Sequence, residues 1–261
     1  MQRPWHFIPV EEHQGSFNMA FDEQLARALL DGSELPTLRL FRWKPWAISL
    51  GVNQDMGEIN LERARTDGID VVRRPTGGRA VLHAEELTYS VAMEATGKSV
   101  LAVYNAISTA LVAGLRRFGV DVALSKVQPD LRAHYKTLSS IPCFTASARY
   151  EIEWRGRKLV GSAQRRYRSS EHGREVVLQH GSLLIGSAHK RLVDYLFLPD
   201  DRARDQLTME LDEKTIELES LTHHPIDVHD LAACIRQGFE EAWGIQFTDA
   251  SSLEERRIVY G

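Results

Sequence analysis

The sequence predicts an α+β fold in which helices flank a largely antiparallel central sheet. The chain has 261 residues, 43% of them hydrophobic, which is ordinary globular composition and enough to bury a sizeable core. Strand-like runs often follow one another directly along the chain. Because helices and strands do not alternate regularly, a mixed, mainly antiparallel sheet is favoured over a doubly wound parallel one.

The first quarter of the chain begins with a helical pattern. Phe17, Phe21, Leu25 and Leu29 recur every four residues, which predicts an amphipathic helix over 17–30. Two apolar runs then predict strands, TLRLFRW (37–43) and WAISLGV (46–52). A short helix ending near Gly68 follows. The next run, IDVVRRP (69–75), predicts a third strand that leads into a loop.

The middle of the chain contains a glycine-rich turn, a strand and the clearest long helix. The turn lies in RPTGGRAVLH and is followed by the alternating strand LTYSVAM (87–93). Residues 101–118 place six large apolar side chains on one helical face. Residues 126–148 show no period and contain Pro129 and Pro142, so we expect a long loop, and such loops are often functional.

The remainder of the chain predicts a hairpin, one more strand and several short helices. RYEIEW (149–154) and KLVGSAQRRY (158–167) flank Arg155-Gly156, a pattern typical of a β-hairpin. VVLQHGSLLI (176–185) reads as a strand, and residues 190–247 as short helices, of which 227–243 is the best defined. We expect one catalytic domain over 1–261, with no separate accessory domain.

Composition excludes several classes of protein. The formal charge of -4 does not indicate a nucleic-acid coat. No apolar run reaches the roughly 18 residues of a membrane span, and the N-terminus lacks the pattern of a secretory signal. Two cysteines in different settings indicate neither a disulfide framework nor a thiolate metal site. A reducing cytoplasm with a free thiol fits this pattern best.

The glycine turn is the first candidate for a binding site. Paired glycines allow positive φ and close approach of a ligand, whose carboxyl, phosphate or thioester oxygen the backbone N–H groups could bind. The spacing is neither a P-loop nor a dinucleotide fingerprint, and a plain turn is the alternative. The candidate binding residues are Arg73, Arg74, Thr76, Gly77, Gly78 and Arg79.

Cys143 is the candidate nucleophile. It follows Pro142 in a polar loop ahead of a basic hairpin, which is a better setting for a reactive thiolate than a core helix. Lys158 opens a strand in which the small residues Gly161, Ser162 and Ala163 leave space for a ligand chain. In a dry pocket its ammonium could hold an acyl carbonyl or favour a thiolate, although a solvated lysine at a hairpin tip is the alternative.

Two histidines could act as general bases. His83 follows the glycine turn, and His180 precedes Gly181 and Ser182 at the start of an apolar run. Each could equally be a structural histidine with satisfied ring nitrogens. No histidine or cysteine spacing supports a metal site, and a solvated helix start accounts for the histidines between 223 and 229.

Basic residues form two sequence clusters that could attract an acidic partner protein. Scattered, solvated charges are the alternative. The first cluster is Arg73, Arg74 and Arg79, and the second is Arg155, Arg157, Lys158, Arg165, Arg166 and Arg168.

Several ordered motifs resemble those of the lipoate–biotin protein ligase and transferase superfamily. They are RRPTGGRAVLH (73–83), GRKLVGSAQ (156–164) and QHGSLL (179–184), supported by FNMAFDEQL (17–25) and LRLFRWKPWAISLGVNQ (38–54). The likeness covers roughly residues 1–247. Within the superfamily the chain most resembles the Bacillus-type octanoyltransferases, because SSIPCF (139–144) resembles their cysteine loop and precedes the lysine.

This resemblance implies an activity, partners and site residues. It implies a mixed α/β domain with an antiparallel main sheet, Cys143 as catalytic cysteine and Lys158 as pocket lysine. It also implies transfer of octanoyl, without a cofactor, from an acyl carrier protein to a lysine of a lipoyl-accepting domain, such as glycine cleavage H protein or a dehydrogenase E2 domain. Arg79 departs from the third glycine that lipoate ligases usually carry.

Three other activities remain open at this stage. A lipoate ligase would activate free lipoate with ATP and would need no cysteine. An amidotransferase would move octanoyl between two lipoyl-accepting domains and would also use a cysteine. A non-catalytic acyl- or biotin-binding module would turn over no donor.

Overall fold

A computed structural model describes residues 4–125, 151–171 and 173–249. The strands are β1 (Trp5–His13), β2 (Thr37–Trp43), β3 (Ala47–Leu50), β4 (Asp70–Arg73), β5 (Val81–His83), β6 (Glu86–Glu94), β7 (Ala123–Leu124), β8 (Ile152–Trp154), β9 (Arg157–Arg168), β10 (Glu175–Leu184) and β11 (Phe247–Asp249). The α-helices are α1 (Gly15–Asp31), α2 (Leu61–Thr66), α3 (Val100–Arg117), α4 (Asp201–Lys214), α5 (Leu218–Thr222) and α6 (Val228–Trp243), and 3-10 helices span Met56–Glu58 and Ser187–Tyr195.

The larger of the two described sheets has the strand order β11-β1-β2-β6-β10-β9-β8-β7. From β2 to β7 every neighbouring pair is antiparallel, which confirms the predicted fold class. β1 differs, because it runs parallel to both β2 and β11. The sequence did not predict β1 as a strand, since Pro9 and the charged residues after it interrupt the apolar alternation.

Alternating side chains give the two faces of this sheet different environments. On β6, Leu87, Tyr89, Val91 and Met93 belong to the main hydrophobic core, which also contains residues of α3 and α6. The intervening positions of β6 include Thr88 and Ser90, which are buried and polar. The polar face of the sheet is therefore the one that can carry chemistry.

A smaller sheet, with the order β4-β3-β5, contains the glycine turn between β4 and β5. Its residues Ile48, Leu50 and Leu82 form a separate core with Leu192 and Tyr195 of the second 3-10 helix. The turn packs closely on the chain after β3, because a Cβ on Gly51 would lie 2.0 Å from the carbonyl oxygen of Gly78. Gly78 itself has a φ of 94°.

Several other predicted elements are present. The hairpin β8–β9 turns at Arg155 and Gly156, whose φ values of 49° and 81° suit a tight hairpin turn. The predicted helices over 17–30, 101–118 and 227–243 correspond to α1, α3 and α6. The predicted loop over 126–148, with Cys143, lies outside the described residues. No helix in the described ranges is long and apolar enough to cross a membrane.

Candidate functional site

A small, mainly apolar cavity lies between the polar face of the large sheet and the smaller sheet. Seven of its lining residues belong to the predicted site: Arg74, His83, Gly161, Ser162, Ala163, His180 and Gly181. Six lining residues were not predicted: Met19, Trp43, Ser49, Val81, Thr88 and Ser182. Residues from three separate motifs therefore meet at one place.

The cavity is narrow in this structure. Its volume of about 30 Å³ accommodates a water molecule or two. Met19 and Arg74 also line an open surface groove of about 490 Å³, so these two side chains separate the cavity from the groove. An acyl chain therefore needs side-chain movement to enter, and the unbranched Met19 is well suited to move.

A continuous hydrogen-bonded relay forms part of the cavity wall. Ser49 Oγ lies 2.7 Å from His83 Nε2, and His83 Nδ1 lies 2.8 Å from Glu86 Oε1. Thr88 Oγ donates to the same carboxylate at 2.5 Å and accepts a 2.7 Å bond from the indole nitrogen of Trp43. The Trp43 ring stacks on His83 with centroids 4.0 Å apart. The His83 ring is therefore held by hydrogen bonds at both nitrogens and by stacking on one face.

A second buried column joins α1, β2 and β10 to the glycine turn. Arg39 Nη1 lies 2.9 Å from Asp22 Oδ1, and Asp22 Oδ2 lies 3.1 Å from His180 Nδ1. Burial lowers the pKa of His180, against the opposing effect of Asp22. The ring is then neutral with its proton facing the carboxylate, so Thr76 donates its hydroxyl to His180 Nε2 at 2.6 Å. Neither His180 nitrogen is left for general base catalysis in this arrangement.

Two arginines of the glycine turn, Arg73 and Arg74, donate to backbone carbonyls, and the third, Arg79, lies near a carboxylate. Arg74 donates to the carbonyls of Ser49, Gly77 and Arg79 at 2.7–3.1 Å. Arg73 Nη1 donates to the carbonyls of residues 51, 52 and 54. Arg79 Nη1 lies 3.8 Å from a Glu58 carboxylate oxygen. These side chains shape the turn.

The backbone amides of Gly77 and Gly78 are candidate donors to a ligand. Within the described ranges, the N–H groups of Gly77 and Gly78 donate to no other residue. A Cβ on Gly77 would meet no described residue within 4 Å. Oriented amides of this kind suit a developing negative oxygen.

The small residues of β9 are held from the opposite face of the sheet. Tyr89 Oη donates to Ser162 Oγ at 2.6 Å and accepts from Gln179 at 3.0 Å, and Tyr104 Oη donates to the Ser162 carbonyl. A Cβ on Gly181 would lie 2.4 Å from the Gly161 carbonyl oxygen and 2.7 Å from the Tyr89 ring. Gly181 is thus required for the close pairing of β9 and β10, and because it also lines the cavity, its predicted contact with a ligand stays a prediction.

The two predicted catalytic residues are placed differently. Cys143 lies outside the described residues, and its role stays a prediction. Lys158 is buried, with Nζ 2.6 Å from Glu151 Oε1, and does not line the described part of the cavity. Its role also stays a prediction. The other cysteine, Cys234, is half-buried in α6, and burial raises the pKa of its thiol.

The two predicted basic clusters meet only in part. Arg165 lines the open groove together with Arg73 and Arg74. Arg166 and Arg168 both pair with Glu175, which neutralises part of the second cluster. The groove therefore brings one arginine of the second cluster next to two of the first, and Glu23 also lines it.

Comparison with known proteins identifies relatives along almost the whole chain. The model of the lipoyl protein ligase A/B catalytic domain matches residues 14–240. The octanoyltransferase LipM of Kyrpidia tusciae is 37% identical over 258 residues, covering 97% of this chain and 92% of the relative. The octanoyltransferase LipM of Lysinibacillus sphaericus is 34% identical over 260 residues, covering 97% and 91%.

The fold is shared with a solved structure of lower identity. A bi-partite lipoate protein ligase from Thermoplasma acidophilum superposes with a TM-score of 0.74 at 20% identity, over 98% of this chain and 90% of that chain. These comparisons confirm the resemblance drawn from the motifs.

Proposed function

Since the chain belongs to the lipoyl protein ligase A/B catalytic-domain family, we propose that it transfers an octanoyl group from acyl carrier protein to a lysine of a lipoyl-accepting domain. The observation that carries this proposal is the near full-length similarity to octanoyltransferases, at 37% and 34% identity. Two features support it: the apolar cavity, which Arg74 of the glycine turn helps to line, and the Gly77 and Gly78 amides, which donate to no other residue in the part of the chain that the structure describes.

The first step transfers octanoyl to Cys143. Its thiolate attacks the thioester carbonyl, the carbon–sulfur bond to phosphopantetheine breaks, and the released thiolate takes up a proton. Exchange of one thioester for another is nearly isoenergetic, so neither ATP nor a cofactor is needed. The amides of Gly77 and Gly78 and the Lys158 ammonium stabilise the oxyanion, and one such donor contributes about 3 kcal/mol.

The second step forms the amide. The acceptor lysine, whose pKa is near 10.4 when unperturbed, loses a proton and attacks the acyl-enzyme carbonyl. The Cys143 thiolate leaves, and amide formation from a thioester drives the reaction. The acceptor is a lipoyl-accepting domain such as glycine cleavage H protein or a dehydrogenase E2 domain.

The cavity and groove suit the donor. Burying the alkyl chain against Met19, Trp43 and Val81 contributes about 0.8 kcal/mol per methylene. The groove with Arg73, Arg74 and Arg165 offers positive charge to an acidic carrier protein.

Intact mass spectrometry with octanoyl carrier protein, without ATP, tests the proposal. We expect one octanoyl adduct on the wild type and on Cys234→Ser, no stable adduct on Cys143→Ala, and transfer to the lipoyl domain. Normal transfer by Cys143→Ala would end the covalent mechanism. Activity only with free acid and ATP would indicate a ligase, and activity only with an octanoylated domain would indicate an amidotransferase.

A further inference from the structure

The wall of the cavity contains polar side chains whose hydrogen-bonding capacity is used by one another. Arg74 Nη1 donates to Ser49 Oγ at 3.0 Å, and Ser49 lies 2.7 Å from His83 Nε2. Because His83 Nδ1 faces Glu86, the ring proton lies on Nδ1 and Ser49 donates to Nε2. Ser49 thus accepts from Arg74 and donates to His83.

The hydrogen bonds among Arg74, Ser49 and His83 limit the polar groups that the cavity presents to a ligand. Ser49 is fully buried and His83 is 6% exposed, and both line the cavity. Ser182 Oγ adds a 3.2 Å contact to His83 Nδ1. An imidazole bonded on both nitrogens has neither a free lone pair nor a free proton for a ligand. A hydroxyl on an acyl chain beside the relay would lose its water partners and would gain no bond to His83 in exchange.

We propose that the Arg74–Ser49–His83 relay is a specificity device that makes the pocket select saturated acyl chains over hydroxylated acyl chains of equal length. This inference rests on the proposed acyl transfer. The Ser49 hydroxyl occupies a position from which a hydroxyl reaches both His83 and Arg74. Selectivity therefore arises from a protein hydroxyl that already satisfies those two groups.

The relay predicts a gain of function when Ser49 is shortened. Ser49→Ala removes one oxygen and leaves His83 Nε2 as an acceptor and one Arg74 N–H as a donor, both facing the new space. A substrate hydroxyl in that space would donate to His83 and accept from Arg74, restoring both bonds. Val81→Ala enlarges the same cavity without exposing a polar partner, and it is the matched control.

Competition between carrier proteins loaded with octanoyl, 3-hydroxyoctanoyl and 8-hydroxyoctanoyl groups tests the inference. Relative kcat/KM is read from the acyl-enzyme masses. We expect the wild type to prefer octanoyl by about 10- to 100-fold over either hydroxylated donor. Ser49→Ala should reduce that preference by about tenfold for at least one hydroxylated donor, and Val81→Ala should not.

Three results would overturn the inference: wild-type use of a hydroxylated donor within about twofold of octanoyl, unchanged ratios in Ser49→Ala, or an equal change in Val81→Ala. The wild-type preference for octanoyl over the hydroxylated donors tests the inference even if Ser49→Ala does not fold. Octanoyl transfer with equal use of hydroxylated donors overturns this inference alone. No octanoyl transfer by the wild type removes the proposed function as well.

Discussion

His180 Nε2 accepts a 2.6 Å hydrogen bond from Thr76, which lies 104 residues earlier in the chain. This bond connects the large sheet to the glycine turn. Asp22 holds the other ring nitrogen of His180, and Arg39 pairs with Asp22. All four side chains are buried, so each bond forms without competition from water. The position of the Gly77 and Gly78 amides therefore depends on a column that reaches back to α1.

Replacing Thr76 by valine should loosen the turn. Valine keeps the shape of the side chain but leaves His180 Nε2 buried without a donor, which costs about 1–3 kcal/mol of unfolding free energy. We also expect slower acyl-enzyme formation with octanoyl carrier protein. Urea unfolding measures the change in stability, and mass spectrometry of quenched reaction samples measures the rate of acyl-enzyme formation. Thr76→Ser retains the hydroxyl and is the control; equal losses in both variants would contradict a role for the hydrogen bond.

Protonation of His180 should destabilise the protein in acid. Burial lowers its pKa in the folded state, so below the unfolded value of about 6.5 the unfolded chain binds more protons. Stability from this group is complete above that pH and falls as the pH drops through the window toward the folded pKa. The slope is at most about 1.4 kcal/mol per pH unit.

His180→Gln separates this contribution from those of other groups. Glutamine can donate to Asp22 and accept from Thr76 without titrating. The free energy of unfolding, measured between pH 6.5 and 5, should therefore depend on pH less steeply in the variant. The difference between the two slopes corresponds to the uptake of at most one proton on unfolding. The lowered pKa of His189, which burial also causes, leaves some slope in both proteins. An identical slope in wild type and variant would contradict the assignment.

Alanine at the contact between α3 and α6 should destabilise the fold. A Cβ on Gly238 would lie 2.2 Å from the Gly114 backbone nitrogen, and one on Gly114 would lie 2.7 Å from the Ile235 Cα. These contacts involve backbone atoms, so the helices must separate, and overpacking of this kind costs about 1–3 kcal/mol. Chemical denaturation of Gly238→Ala measures it. Thr109→Ala, on the exposed side of α3, should change stability little.

Local patterns predicted most of the elements because they depend on nearby residues. The apolar stripe of α1, the hairpin at Arg155-Gly156 and the helix α6 all follow from spacing within one element. The strand β1 was missed because its parallel partners, β2 and β11, stabilise it from distant parts of the chain. Pairing with strands from other parts of the chain leaves little trace in a local alternation pattern.

The site was predicted only where a residue stood in a recognisable motif. His83 and Gly161 were found in this way and do line the cavity. Ser49 and Glu86 were missed, because neither a single serine within an apolar strand nor a glutamate at the first position of β6 carries a spacing signal. Their roles arise only when β3, β5 and β6 bring them to the same imidazole.

Removing the Tyr89 hydroxyl should loosen the small-residue edge of the cavity. Burial raises the pKa of Tyr89 to about 12, so the group stays a neutral hydrogen-bond donor at working pH. Tyr89→Phe leaves Ser162 and Gln179 each without one bond, which should lower the unfolding free energy by about 1–3 kcal/mol. Because Ser162 lines the cavity together with its neighbours Gly161 and Ala163, acyl-enzyme formation should slow as well.

Tyr104→Phe is the matched comparison, since Tyr104 donates to the Ser162 carbonyl from α3. If both hydroxyls position the same segment, the two variants should raise KM for octanoyl carrier protein in the same direction. Their combined effect should also be non-additive, because they share a partner. Unchanged KM and kcat in Tyr89→Phe, together with the expected loss of stability, would restrict the network to a structural role.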